Sequence, residues 1–270
     1  MATLNLGVQT QLLPGRDLAE KFANAAAYGY DGVEVNVGPA FDLGEHVNEL
    51  KAASQGSGLP ICAVCTHSMH DPFLPDPAER KKRFAGLALL LEQADELGAG
   101  GVVSVPVRPP QTYGDTSWDD QAADAVAAYT EWAATLPAGI SQVYLEPLNR
   151  YEAKFLNRVE QGADLAARID HPRVSALADL FHMNIEEAHL GMPIVASAAQ
   201  LRHVHIADNN RLEPGAGCLD IATSFAALSQ IGYAGFVTLE CRLSGPANDV
   251  LPASARYLRG LWDPTTAPQV

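Results

Sequence analysis

The chain has 270 residues, 47% of them hydrophobic and 19% charged, ample for a core of one domain, although length alone also allows two smaller ones. Its formal net charge of −14 repels phosphodiester backbones and argues against generic nucleic-acid binding. The opening MATLNLGVQT lacks the basic segment and long apolar stretch of a signal peptide, and no window approaches the ~20 apolar residues of a membrane span, so a soluble, cytoplasmic protein without membrane partners is expected.

Strand-like and helix-like segments alternate along the chain. LNLGV (4–8) reads as the first strand, and RDLAEKFANAAAYGY (16–30) as a helix that stops at Gly29. GVEVNV (32–37) is the second strand, with Glu34 inside it. ICAVCT (61–66) is the third, and it carries a C-x-x-C of Cys62 and Cys65. An odd offset along a strand sends two side chains to opposite faces. No second C-x-x-C follows, so buried thiols are expected rather than a zinc or redox site.

PAERKKRFAGLALLLEQADELG (77–98) repeats apolar positions at helical spacing and ends at Gly98. GVVSVPV (101–107) is the fourth strand, and Ser117 is the expected N-cap of the helix SWDDQAADAVAAYTEWAATL. QVYLE (142–146) is the fifth strand, and Asn157 is the expected cap of the helix containing VEQGADLAARI. VSALAD (174–179), HVHIAD (203–208) and FVTLEC (236–241) complete the set.

Several strands are near-continuous apolar runs, as parallel strands covered on both faces should be. The alternation predicts an α/β fold, a (β/α)8 TIM barrel in a single domain over 1–263, with a Pro-rich tail at 264–270. The loops at 38–45, 67–77, 106–117 and 208–218 are longer than joining requires. They would follow strands 2, 3, 4 and 7, on the face where such barrels place their chemistry.

Glu146, Asp179, His205 and Glu240 each end, or nearly end, one of these strands. Strand ends of a parallel barrel converge on one mouth. Three carboxylates and an imidazole there suit a single divalent cation of the manganese, magnesium or cobalt kind. Without a cation the carboxylates would repel and raise one another's pKa. His182 is one helical step beyond Asp179 and reads either as its neighbour or as a loop histidine capping backbone. Arg211 is either a cation for a substrate oxygen or a surface charge near Glu213. Glu34, Arg108, His67 and His70 are undecided between substrate contact and structural pairing, and Gly215 with Gly217 is a weak signal for an anion nest.

LEPLNRYE (145–152), DLFHMNIEE (179–187), HVHIADNNR (203–211) and TLE (238–240) resemble signature segments of the sugar isomerase/epimerase family with xylose-isomerase-like barrels. Within it the likeness is to the D-tagatose and D-psicose 3-epimerases. It runs over 140–245 and is only general in the first half, where NLGVQTQLLPG lacks that group's aromatic-rich opening.

The resemblance implies a homodimer or homotetramer that epimerises C3 of a ketose. It implies one metal ion, Mn2+ or alternatively Mg2+, Co2+ or Zn2+, held by Glu146, Asp179, His205 and Glu240. It makes Glu146 and Glu240 the acid/base pair acting through a cis-enediolate. Glu152, His182 and Arg211 would contact the sugar, with His67 and Arg108 as further candidates. Hydroxypyruvate, aldose–ketose or inosose chemistry on the same site are alternatives. An endonuclease IV type of DNA-repair enzyme is disfavoured by the lack of histidine in strand 4 and by Leu219-Asp220-Ile221 in place of an Asp-x-His pair. A non-catalytic sugar-binding barrel would not need the two glutamates.

Overall fold

The computed structural model of the protein describes residues 3–66, 72–106 and 116–262. Eight parallel strands close into a barrel in sequence order. They are β1 (Asn5–Gln9), β2 (Gly32–Val37), β3 (Ile61–Thr66), β4 (Gly101–Ser104), β5 (Gln142–Leu145), β6 (Val174–Asp179), β7 (Leu201–Ile206) and β8 (Phe236–Leu239), with β8 paired back to β1. The helices between and after them are α1 (Leu18–Ala27), α2 (Leu43–Ser57), α3 (Pro77–Leu97), α4 (Trp118–Ala133), α5 (Val159–Ile169), α6 (Leu180–Glu186), α7 (Met192–Ala196), α8 (Ile221–Gln230) and α9 (Ala247–Trp262). Among the described residues no helix is long and apolar enough to cross a membrane.

Local chemistry starts and stops these helices. Asp17, Asp42, Asp76, Ser117, Asp179 and Asp220 are N-caps whose side chains accept from backbone N–H groups of the first turn. Gly58 and Gly98 close α2 and α3 in the left-handed conformation, at φ 75° and 67°, which glycine adopts without steric cost. The loop expected at 38–45 is shorter than read, because Asp42 already caps α2 and the helix begins at Leu43. Asn157 does not cap α5. The N-cap is Arg158, and the Gln161 side chain accepts from the N–H groups of both Asn157 and Arg158. The fourth strand ends at Ser104, short of the run read from the sequence.

Strand alternation divides the core into two layers. Val143 and Leu145 face the helices, while Tyr144 points into the barrel with Ala63, Cys65, Val103 and Leu177. Burying each large apolar side chain contributes roughly 1.5–3 kcal/mol. Glu146 and Glu240 follow the last strand residues Leu145 and Leu239, in phase with the inward-facing Tyr144 and Thr238.

One register shift overturns an expectation. Val33 pairs with Ile61 but Glu34 pairs with Ala63, so Cys62 is an extra residue on β3. The bulge cancels the odd offset, and both thiols turn inward. Cys62 Sγ lies 3.7 Å from Thr238 Oγ1, and Cys65 Sγ lies 3.9 Å from Glu240 Oε1. Both are buried free thiols, as expected, but they share a face.

Candidate active site

Four neighbouring strands, β5 to β8, deliver one group each to the mouth of the barrel. Ligand atoms of Glu146, Asp179, His205 and Glu240 all lie within 4.8 Å of one another. His205 Nδ1 is 3.2 Å from Glu146 Oε1 and 3.3 Å from Glu240 Oε2. Asp179 also caps α6: its Oδ1 accepts from Phe181 N–H at 2.8 Å, leaving Oδ2 for the cluster. Arg211 donates to Asp179 Oδ2 at 2.8 Å and to Glu240 Oε2 at 2.6 Å, with its guanidinium 4.4 Å from the centre of the Phe181 ring. It therefore reaches back into the site and does not pair with Glu213, which is bonded to Ser244.

The shared environment splits the two glutamates. Burial, reinforced by the charge of Glu240, pushes Glu146 above the usual carboxylate range despite the opposing pull of His205. Burial acts the same way on Glu240, but His205 and Arg211 outweigh it and hold that carboxyl well below the range. Burial opposes charge on His205, yet Glu34, Glu240 and Glu146 together raise it well above the usual imidazole value.

Four carboxyl groups, counting Glu34, thus face two cationic side chains. The excess negative charge and the hard oxygen-rich donor set suit a divalent cation held by Glu146, Asp179, His205 and Glu240.

Glu240 and Arg211 line a cavity of about 640 Å³ together with Glu152, Phe181, Gln11 and Arg242. Glu152 reaches it from the segment after β5, where its Oε1 accepts from Asn149 Nδ2 at 2.9 Å. His182 is buried behind this wall. Its Nε2 lies 3.5 Å from Asp179, and its Nδ1 is 2.7 Å from Asn149 Nδ2. His67, His70 and Arg108 lie outside the described residues. Gln11 and Arg242 escaped the sequence reading, since neither closes an apolar run.

Glu34, undecided from sequence, is completely buried below the cluster and contacts His203 and His205. The glycines of the 208–219 segment do not form a free anion nest. Gly215 N–H donates to Asp208 Oδ2 at 2.9 Å, so the chain supplies its own anion.

The family model described as a xylose isomerase-like TIM barrel matches residues 22–261. The chain belongs to this family. Among its relatives, the 3-dehydro-D-guloside 4-epimerase of Escherichia coli (strain K12) is 32% identical over 253 residues, covering 89% of this chain and 93% of that protein. The ketose 3-epimerase of Arthrobacter globiformis is 33% identical, covering 87% of this chain and 79% of the relative. Among solved structures, the apo form of the E. coli 3-keto-D-glucoside 4-epimerase superposes with a TM-score of 0.83 at 30% identity, over 95% of this chain and 99% of that one. A D-psicose 3-epimerase from Clostridium cellulolyticum H10, solved with D-tagatose, gives 0.79 at 25% identity over 96% and 97%. The relatives thus include both 3- and 4-epimerases.

Proposed function

We propose that the protein is a metal-dependent isomerase, a sugar epimerase that inverts C3 of a ketose with Glu146 and Glu240 as its acid/base pair. The observation carrying this reading is the cluster of Glu146, Asp179, His205 and Glu240 beside a cavity lined by Glu240, Arg211 and Glu152. A divalent ion bound by the cluster, Mn2+ in this proposal, would polarise the substrate carbonyl as a Lewis acid.

The chain's own residues do the rest. Glu240, in the cavity wall, removes the proton next to the carbonyl. Glu146 delivers a proton to the opposite face of the same carbon. Two carboxyl groups serving opposite faces of one carbon suit an acid and a base. Arg211 faces the negative charge that develops on the sugar oxygens, and Glu152 accepts from a hydroxyl group.

A second reading is favoured by the similarity to the 4-epimerase. The same proton transfer next to a carbonyl at C3 inverts C4 of a 3-keto sugar. NMR in D2O separates the two. Mn2+-loaded protein is incubated with free ketoses, ketose phosphates and 3-keto glycosides, and the metal is stripped before spectra are taken. Deuterium at C3 of a ketose, with formation of its C3 epimer, supports the first reading. Deuterium at C4 of a 3-keto sugar supports the second. Label at C1 or C2 with an aldose product redirects the assignment to an aldose–ketose isomerase. No exchange with any sugar by metal-loaded protein rejects sugar epimerisation.

A further inference from the structure

We propose that Glu34 is a positioning residue that holds the ring of His205 with Nδ1 turned toward the metal ligands. The inference rests on the metal-binding reading above. Glu34 lies on β2, outside the strands that supply the cluster, and it is fully buried. Its Oε2 is 2.8 Å from His203 Nε2 and 3.1 Å from His205 Nε2, and its Oε1 accepts from Gln9 Nε2 at 2.8 Å. An ionised carboxylate is an acceptor only, so each histidine Nε2 that bonds Glu34 must carry its proton toward it. That commits His205 to present Nδ1 on its other side, where Glu146 and Glu240 lie 3.2 and 3.3 Å away.

His203 holds the carboxylate from beneath. Its ring stacks on Tyr144 at 5.1 Å with planes 2° apart, and meets His205 edge-on at 5.1 Å. Gln9 is fixed in turn: its Oε1 accepts from Gln11 Nε2 at 2.5 Å. Gln11 lines the cavity. A hydrogen-bonded line therefore runs from the cavity wall through Gln11, Gln9 and Glu34 to the histidine of the cluster. A carboxylate accepting from the distal N–H of a metal-bound imidazole fixes the ring's tautomer and orientation.

The test uses the full chain with Co2+ as the only added metal, read by the visible absorption of the bound ion and by calorimetric titration. Wild type is expected to bind one Co2+, and Glu34→Gln to bind it roughly 10–100-fold more weakly with a shifted spectrum. Far-UV circular dichroism establishes that the variant is folded. Should Glu34→Gln fail to fold, Gln9→Ala, which leaves the carboxylate in place but frees its Oε1, is expected to weaken Co2+ binding by a smaller factor.

A measurement on wild type stands apart from any variant. In Zn2+-loaded protein with 15N-labelled histidine, the His205 proton is expected on Nε2 and the metal on Nδ1. Metal on Nε2 overturns the proposal, and so does unchanged Co2+ affinity and spectrum in folded Glu34→Gln. Two Co2+ per wild-type chain, one of them lost in Glu34→Gln, would make Glu34, His203 and His205 ligands of their own ion and also overturn it. No Co2+ bound by wild type removes the metal-binding reading itself, and this proposal with it.

Discussion

Glu146 and Glu240 occupy one cluster, yet their surroundings push them in opposite directions, and Glu240 alone of the two lines the cavity. Glu240→Gln keeps the shape and removes the base proposed above. Its turnover is expected to fall roughly 10²–10⁴-fold while sugar still binds, read as lost deuterium exchange with retained ligand-induced NMR shifts. Equal exchange in this variant would remove Glu240 from the chemistry.

Glu34 supports a prediction about stability. Burial works to raise it, but His205 and His203 bring its folded value down to about 2 from an ordinary 4.5. The unfolded chain therefore takes up the proton first. The contribution, about 3 kcal/mol, is complete above the unfolded value and is lost as pH falls from 4.5 toward 2. Urea unfolding of the metal-free protein between pH 6 and 3 should show this loss, and Glu34→Gln should flatten the profile. The ligand candidates were legible in the sequence because a charged residue closing an apolar run is costly without a partner. Glu34 was not, since its partners lie 169 and 171 residues away and nothing local in GVEVNV announces them.

At the scale of elements, the loop after β7 delivers Arg211, and the Asp208 carboxylate anchors it alongside Asn209, Asn210 and Glu213. Asp208 is buried and accepts from the N–H groups of Asn209 and Leu219 on one oxygen and Gly215 on the other. Arg211 sits within this loop at φ 62°, a conformation an arginine adopts only when its surroundings hold it. Gly217 is needed where the loop crosses Asp208, because a Cβ there would approach Asp208 Oδ1 to 2.3 Å.

Asp208→Ala leaves three backbone donors of the loop without their acceptor, so Arg211 loses its seat, while the barrel strands, which the Asp208 side chain does not bond, stay in place. The expected result is a higher KM with a lower kcat, and faster amide hydrogen exchange across 209–219. Unaltered kinetics would show that the Asp208 carboxylate does not seat Arg211. Strand periodicity made the barrel readable, but the bulge at Cys62 was invisible because an inserted residue leaves no mark in an apolar run. The apolar runs closed by Glu146, Asp179, His205 and Glu240 pointed to one mouth, and the resemblance carried in LEPLNRYE and HVHIADNNR added Glu152 and Arg211 as expected sugar contacts.

For the molecule as a whole, the closed barrel concentrates charge that its interior cannot solvate. Every strand from β5 to β8 delivers a candidate ligand atom at its end, so an ion bound at the mouth would tie half the barrel together. An ion that binds only the folded state stabilises it by mass action, by about 2.7 kcal/mol at one hundred times Kd. For a chain of this size that corresponds to a rise in Tm of roughly 5–10 °C, reversed by chelation.

The rise should depend on pH with a definite sign. Burial opposes charge on His205, yet Glu34, Glu240 and Glu146 raise it well above the ordinary imidazole value, so the metal-free protein favours the protonated ring that an ion bound through His205 would have to deprotonate. The ion must displace that proton, and its affinity therefore increases with pH. Differential scanning calorimetry with a fixed concentration of Mn2+ should show a larger increment at pH 8 than at pH 6, and little or none in Asp179→Ala. An increment that is the same at both pH values would mean that His205 does not ligate the ion, and an increment that survives in Asp179→Ala would place the binding elsewhere.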